Sequence, residues 1–131
     1  MAGRSFQKLL GAIDPNVVLL GITFLPQGAG AINVNTQVVG RGVASVAWST
    51  DRYVITLQDV YPSLLGGSCE LQLATPAGTS AQFGAINLTN KTIEVVVWDP
   101  TANAGAGGAV SVAANAGNKI HVILVLKNSS V

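Results

Sequence analysis

The chain has 131 residues, 49% of them hydrophobic and only 10% charged, with 7 basic against 6 acidic side chains and a net charge of +1. That length fits one domain with a real core, and the near-zero charge excludes the basic surface that nucleic acid or an anionic membrane would require. Ordinary soluble domains carry roughly 25% charged residues, so a surface of about 6,500 Å² is thinly covered here: either it is a neutral surface rich in Ser, Thr, Asn, Gln and Gly, or much of it meets other subunits.

Residues 1–15 read as an N-terminal arm. Arg4 and Lys8 are interleaved with Phe6, Leu9 and Leu10, and Phe6, Leu9, Leu10 and Ile13 have helix-like spacing before Asp14-Pro15. Such an arm either folds back to cap its own domain or docks on a neighbour. The start lacks the continuous apolar core of a signal peptide, and the single cysteine, Cys69, has no internal disulfide partner. Both features predict synthesis in the cytoplasm. The longest apolar runs, Val17 to Leu25 and Ile120 to Leu126, fall far short of the about 20 residues of a spanning helix, so no membrane partner is expected.

Val17 to Leu25 is a near-continuous apolar strand closed by Pro26 to Gly30. A Gly- and Asn-rich loop leads to a short strand at Gln37 to Val39 and a turn at Gly40-Arg41-Gly42. Val43 to Ser49 and Tyr53 to Gln58 read as a tight hairpin across Thr50-Asp51-Arg52. Asp59 to Gly67 reads as a connection with one helical turn. Ser68 to Ala74 alternates cleanly, with Cys69, Leu71 and Leu73 on one face, which makes Cys69 a buried small hydrophobe rather than a nucleophile. Ala81 to Leu88 and Thr92 to Trp98 follow, joined by Thr89-Asn90-Lys91. Residues 99–117 are a long loop rich in Gly and Ala, too small to build a core and expected to be shaped by a neighbour; Ala109 to Ala116 could add a helical turn or a poor strand.

The last strand, Asn118 to Lys127, is apolar on both faces. Ile120, Val122, Leu124 and Leu126 fall on one side, His121, Ile123 and Val125 on the other. A strand with one face in water would alternate apolar and polar residues, so this one needs a second cover, either as a central strand sandwiched inside its own domain or from a symmetry mate. Roughly seven or eight short strands with turn signals between them predict an all-β, single-domain antiparallel β-sandwich or jelly-roll-like barrel over 16–131, preceded by the arm.

Chemistry has little support. One His, one Cys and six carboxylates form no cluster with ligand or catalytic spacing, so no catalytic, cofactor-binding or metal-binding residue is assigned and an enzyme is not expected. His121 reads as a structural histidine, Asp51 and Asp99 as turn residues bonding local backbone, and Glu70 and Glu94 as side chains on the polar faces of their strands. Gly105-Ala106-Gly107-Gly108 lacks the Lys-Ser/Thr that completes a phosphate loop.

Several stretches together resemble a class of small virion proteins of tailed bacteriophages. They are Arg4-Ser5-Phe6, Tyr53-Val54-Ile55-Thr56-Leu57, Tyr61-Pro62-Ser63-Leu64-Leu65, Leu71-Gln72-Leu73-Ala74, Lys91-Thr92-Ile93-Glu94-Val95 and Leu126 to Val131. The resemblance implies a β-rich decoration or cement protein, often trimeric, on the outer capsid surface, where it stabilises contacts between capsid subunits. It implies the major capsid protein as partner, a homo-oligomer, and no cofactor. Arg4, Phe6, Lys8, Leu9, Leu10, Ile123 and Val125 are the expected capsid or oligomer contacts. The alternative within the same broad group is a tail or head-fibre component that binds a receptor or carbohydrate.

Overall fold

The computed structural model describes residues 17–128. Nine strands build two antiparallel sheets: β1 (Val17–Phe24), β2 (Val38–Val39), β3 (Val43–Ser49), β4 (Arg52–Leu57), β5 (Ser63–Gln72), β6 (Ser80–Asn87), β7 (Thr92–Asp99), β8 (Gly108–Ala109) and β9 (Lys119–Lys127). One sheet has the order β2-β1-β9-β5; the other has β3-β4-β7-β6, with β8 added beside β7. They pack face to face as a β-sandwich, the expected all-β class, and no α-helix occurs among the described residues.

Period-two alternation explains which side chains meet between the sheets. From the first sheet, Ile22, Phe24, Ile120, Val122, Leu124 and Leu126 point inward, all buried. Tyr53, Ile55, Leu57, Ile93, Val95 and Val97 answer them from the second. Tyr53 sits at the aromatic centre, 5.4 Å from the Phe24 ring and 4.9 Å from the Trp48 ring, both in tilted or edge-on geometry. Cys69 is half-buried on the inward face opposite Val122, and burial pushes its thiol pKa up. That keeps it protonated, as the alternation implies.

The two sheets are joined at a corner that only glycine can occupy. Gly40 has φ +127°, and a Cβ there would lie 2.3 Å from the Gly21 carbonyl oxygen. The β3–β4 hairpin turns on Thr50-Asp51, since Ser49 pairs with Arg52. Thr50 has φ 55°, a left-handed conformation that costs a β-branched residue roughly 1–2 kcal/mol. Thr50→Asn, which tolerates this region, is therefore expected to stabilise the protein by about 1 kcal/mol, read as a rise in thermal melting temperature; an unchanged or lowered value would count against the strain.

Two segments depart from the sequence reading. Ser63 to Gly67 is not a helical turn but the first half of β5, carried through Gly66 and Gly67 by a bulge between Leu64 and Gly66. The 99–117 loop is tied to its own domain. Its Val112 is buried, and the Val112 N–H donates to Tyr53 Oη at 2.9 Å. Tyr53 Oη donates in turn to the Gly28 carbonyl at 3.2 Å, and the Gly28 N–H donates to the Val112 carbonyl at 2.7 Å. A buried tyrosine thus satisfies two loops at once, and the loop needs no neighbour to shape it there.

Candidate interaction surface

The outer faces of the two sheets differ in chemistry. On the second sheet, Arg52 donates from Nε and Nη2 to both oxygens of Asp51, at 2.6 and 3.0 Å, and from Nη1 to Glu94 Oε2 at 2.7 Å. Glu94 Oε2 also accepts the Ala85 N–H at 3.1 Å, an amide released by the bulge in β6 between Phe83 and Ile86. Asp51 therefore pairs chiefly with a side chain, and Glu94 belongs to a fixed polar cluster. The hydrogen bonds from Arg52 are the main cause that holds both carboxyl pKa values below their usual range.

Depressed folded-state pKa values give stability that is full above the unfolded carboxylate range, about pH 4, and lost as pH falls through the folded values. Arg52→Gln should melt below the wild type at neutral pH and converge with it in acid. Parallel melting curves across the whole range would show that the cluster contributes nothing.

The outer face of the first sheet is apolar at its middle. In β9, Ile123 is 51% exposed and Val125 half-buried. Leu19, paired with Val125, is 57% exposed; Leu65, turned outward at the β5 bulge, is 55% exposed. Around them stand small residues, with Gly21 and Ser68 flanking Ile123 and Gly66 beside Val125. The sandwich core covers only the other side of β9, so the second cover that the strand demands is not supplied by the described residues.

Gly21 and Gly66 sharpen this reading. Glycine inside a strand costs roughly 0.5–1 kcal/mol relative to alanine. Neither has a positive φ, and a Cβ added at either would meet nothing within 4 Å. Nothing among the described residues requires glycine at these positions. A close approach by another backbone or side chain from outside would.

At one end of the face polar residues take over. His121 bridges the sheet, with Nε2 donating to Gln72 Oε1 at 2.8 Å and Nδ1 lying 2.8 Å from Thr23 Oγ1. An amide oxygen can only accept, so Nε2 carries the proton, and in the neutral ring Nδ1 accepts from the threonine. His121 is a cross-strand tie. Glu70 stands beside it as its cross-strand partner, the Gln72–Lys119 pair lies beyond, and Lys127 marks the opposite end.

An open pocket of about 280 Å³ lies over Leu73, Val97, Val110 and Val112. Two of its polar side chains, Asp99 and Asn118, are bonded to nearby chain. Asp99 Oδ1 accepts from the Thr101 N–H and hydroxyl, at 2.8 and 2.7 Å, while Asn118 accepts from the Ala74 N–H and donates to the Ala113 carbonyl. No group of three metal-ligating side chains, and no helix long and apolar enough to cross a membrane, occurs among the described residues.

Of the contact residues expected from sequence, Ile123 and Val125 fall together on this face. Arg4, Phe6, Lys8, Leu9 and Leu10 lie outside the described residues. Leu19, Leu65, Gly21 and Gly66 were not foreseen as part of the surface. The outward alternation of Val17 to Leu25 could have revealed Leu19. Leu65 could not be found while its segment read as a turn. Comparison with protein-family models, curated proteins and solved structures finds no match for this chain.

Proposed function

We propose that this is a structural virion protein of the decoration or cement type, which binds the outer surface of a capsid and stabilises contacts between its subunits. The observation that carries the reading is the outer face of the β2-β1-β9-β5 sheet. It is a half-exposed apolar surface around Ile123, Val125, Leu19 and Leu65 on a domain with few charges. A surface of this kind suits a permanent neighbour. Repetition over a lattice turns a modest affinity per copy into strong avidity.

In this reading the partners are the major capsid protein and other copies of the chain, a homotrimer being the simplest arrangement at a local symmetry axis. The protein is made in the host cytoplasm and ends on the capsid surface, and it has no enzymatic role. The test is co-sedimentation of the purified protein with capsids that lack it, together with its mass in solution by light scattering. Saturable binding and an oligomeric mass are expected; a stable monomer that never sediments with capsids would refute the reading.

A tail or head-fibre role with carbohydrate binding is the second reading, favoured by Trp98. This residue is 40% exposed at the end of β7, and its ring lies over Gly107, where a Cβ would come within 2.7 Å of it. Exposed indole faces stack on sugars, but Trp48, its only companion indole, is half-buried against Tyr53. A glycan array without binding would remove this reading.

A further inference from the structure

We propose that two copies of the free protein pair through the outer face of the β2-β1-β9-β5 sheet. The two-fold axis lies between the two sheets, runs across the strands, and passes between the Leu19–Val125 and Gly21–Ile123 pairs. The contact belongs to the protein in solution and stands or falls independently of what the face meets on a shell.

Antiparallel partners point to the same side of a sheet, so the outward side chains of β1, β9 and β5 stand abreast in rows. One central row is Leu19, Val125 and Leu65, the last entering through the β5 bulge; the next is Gly21, Ile123 and Ser68. These rows differ in shape. The first is bulky at both edges, whereas the second is bulky only in the middle. Among the described residues, three of the seven large hydrophobic side chains left exposed (Leu19, Leu65 and Ile123) lie in these two rows.

Turning a second copy over about that axis keeps each strand above its own counterpart, reverses its direction, and lays the first row of each copy on the second row of the other. Leu19 then lies over Gly21 of the other copy, Leu65 over Ser68, and Val125 beside Ile123. Sheets packed face to face stand about 10 Å apart with their side chains interdigitated, so a leucine needs a small residue opposite it. A Cβ added at Gly21 would meet nothing within 4 Å, and that open space is what the leucine fills.

Charge selects this axis over the other two-fold in the same plane. Lys127 stands one row beyond Val125, and His121 with Glu70 one row beyond Ile123. The axis across the strands brings Lys127 of each copy over the His121 and Glu70 row of the other, so opposite charges meet twice. Neither Glu70 nor Lys127 has an ion-pair partner among the described residues. An axis along the strands would instead set Lys127 on Lys127 and Leu19 on Leu65, like charge on like and bulk on bulk. The contact closes at two copies, so it is distinct from a three-fold arrangement on a shell. Three strands about 4.8 Å apart and six residues of about 3.4 Å each cover less than the about 800 Å² per partner of a standard interface. The pair is therefore weak and depends on concentration.

Sedimentation equilibrium of the full chain at low salt, from about 10 μM to about 1 mM, tests this in the range where so small a contact dissociates. A monomer–dimer equilibrium is expected. Ile123→Asp should weaken it by about tenfold or more, and Leu19→Ser takes its place should that variant not fold. Lys127→Glu and Glu70→Lys should each weaken pairing several-fold, and the double exchange should restore it. Within one chain the two positions are about 20 Å apart along the sheet, so only contact between copies couples them. A monomer at every concentration, a trimer, a dimer indifferent to Ile123→Asp, or single exchanges that the double does not rescue would each overturn the proposal. Capsid binding by a strict monomer would overturn the pair and leave the decoration reading standing.

Discussion

Gly21→Val is expected to leave the melting temperature unchanged or raise it, while abolishing the capsid attachment proposed for this face. The two effects separate because they arise on opposite sides of one backbone position. Among the described residues a valine is welcome. Its Cβ meets nothing within 4 Å, it replaces the least favourable strand residue with a β-branched one, and the gain is about 0.5–1 kcal/mol. Outside the subunit the same side chain fills the floor beside Ile123 and holds a partner away. Ile123→Asp makes the complementary case by placing a charge at the centre of the contact. Losing a central apolar anchor costs on the order of 2 kcal/mol or more per site, roughly 30-fold in affinity, and avidity multiplies the loss over the lattice. Co-sedimentation and thermal melting on the same preparations check both halves. Retained binding by both variants would remove this face from the account.

The largest expected effect on stability is at Gly67. An added Cβ would sit 2.5 Å from the Ile123 carbonyl oxygen and 3.4 Å from Cζ of Phe83. The first contact is with the backbone of β9 and the second reaches across to the opposite sheet, where neither neighbour is a flexible chain end. Gly67→Val must push β5 off β9, at a cost of about 3 kcal/mol or more. For a domain of this size that lowers the melting temperature by roughly 10 °C. Gly66→Ala, one residue away with open space around the new Cβ, is the control and should be nearly neutral. Equal effects at the two positions would contradict the close approach assigned to Gly67.

These glycines also explain where the sequence could and could not be read. Strands with strict alternation, such as Tyr53-Val54-Ile55-Thr56-Leu57 and Ile93 to Val97, announce their buried faces because the same period places each side chain. The doubly apolar last strand announced for the same reason that Ile123 and Val125 lie on the face opposite Ile120, Val122, Leu124 and Leu126. Gly66-Gly67 concealed the first half of β5, since paired glycines ordinarily mark a turn. Here one is demanded by the approach of Ile123 and the other lies at a bulge, and both facts belong to the neighbouring strand rather than to the local sequence. The 99–117 loop misled in a similar way. Its small residues suggest slack, yet Val110 and Val112, two apart, face the core, and the hydroxyl that anchors Val112 belongs to Tyr53, 59 positions away. Alternation alone foretold that Ile123 and Val125 would share a face. That Leu19 and Leu65 join them follows from the pairing of β1 and β5 with β9, which no local pattern records.

The most direct test of the central claim is the position of this protein on its native particle, imaged at a resolution that separates the two sheets. The sandwich is expected on the outer capsid shell at junctions between subunits, with Leu19, Ile123 and Val125 turned toward a neighbour and Arg52 and Glu94 toward solvent. Density for the protein on a tail or fibre, or on the shell with the Ile123 face open to water, would contradict the account.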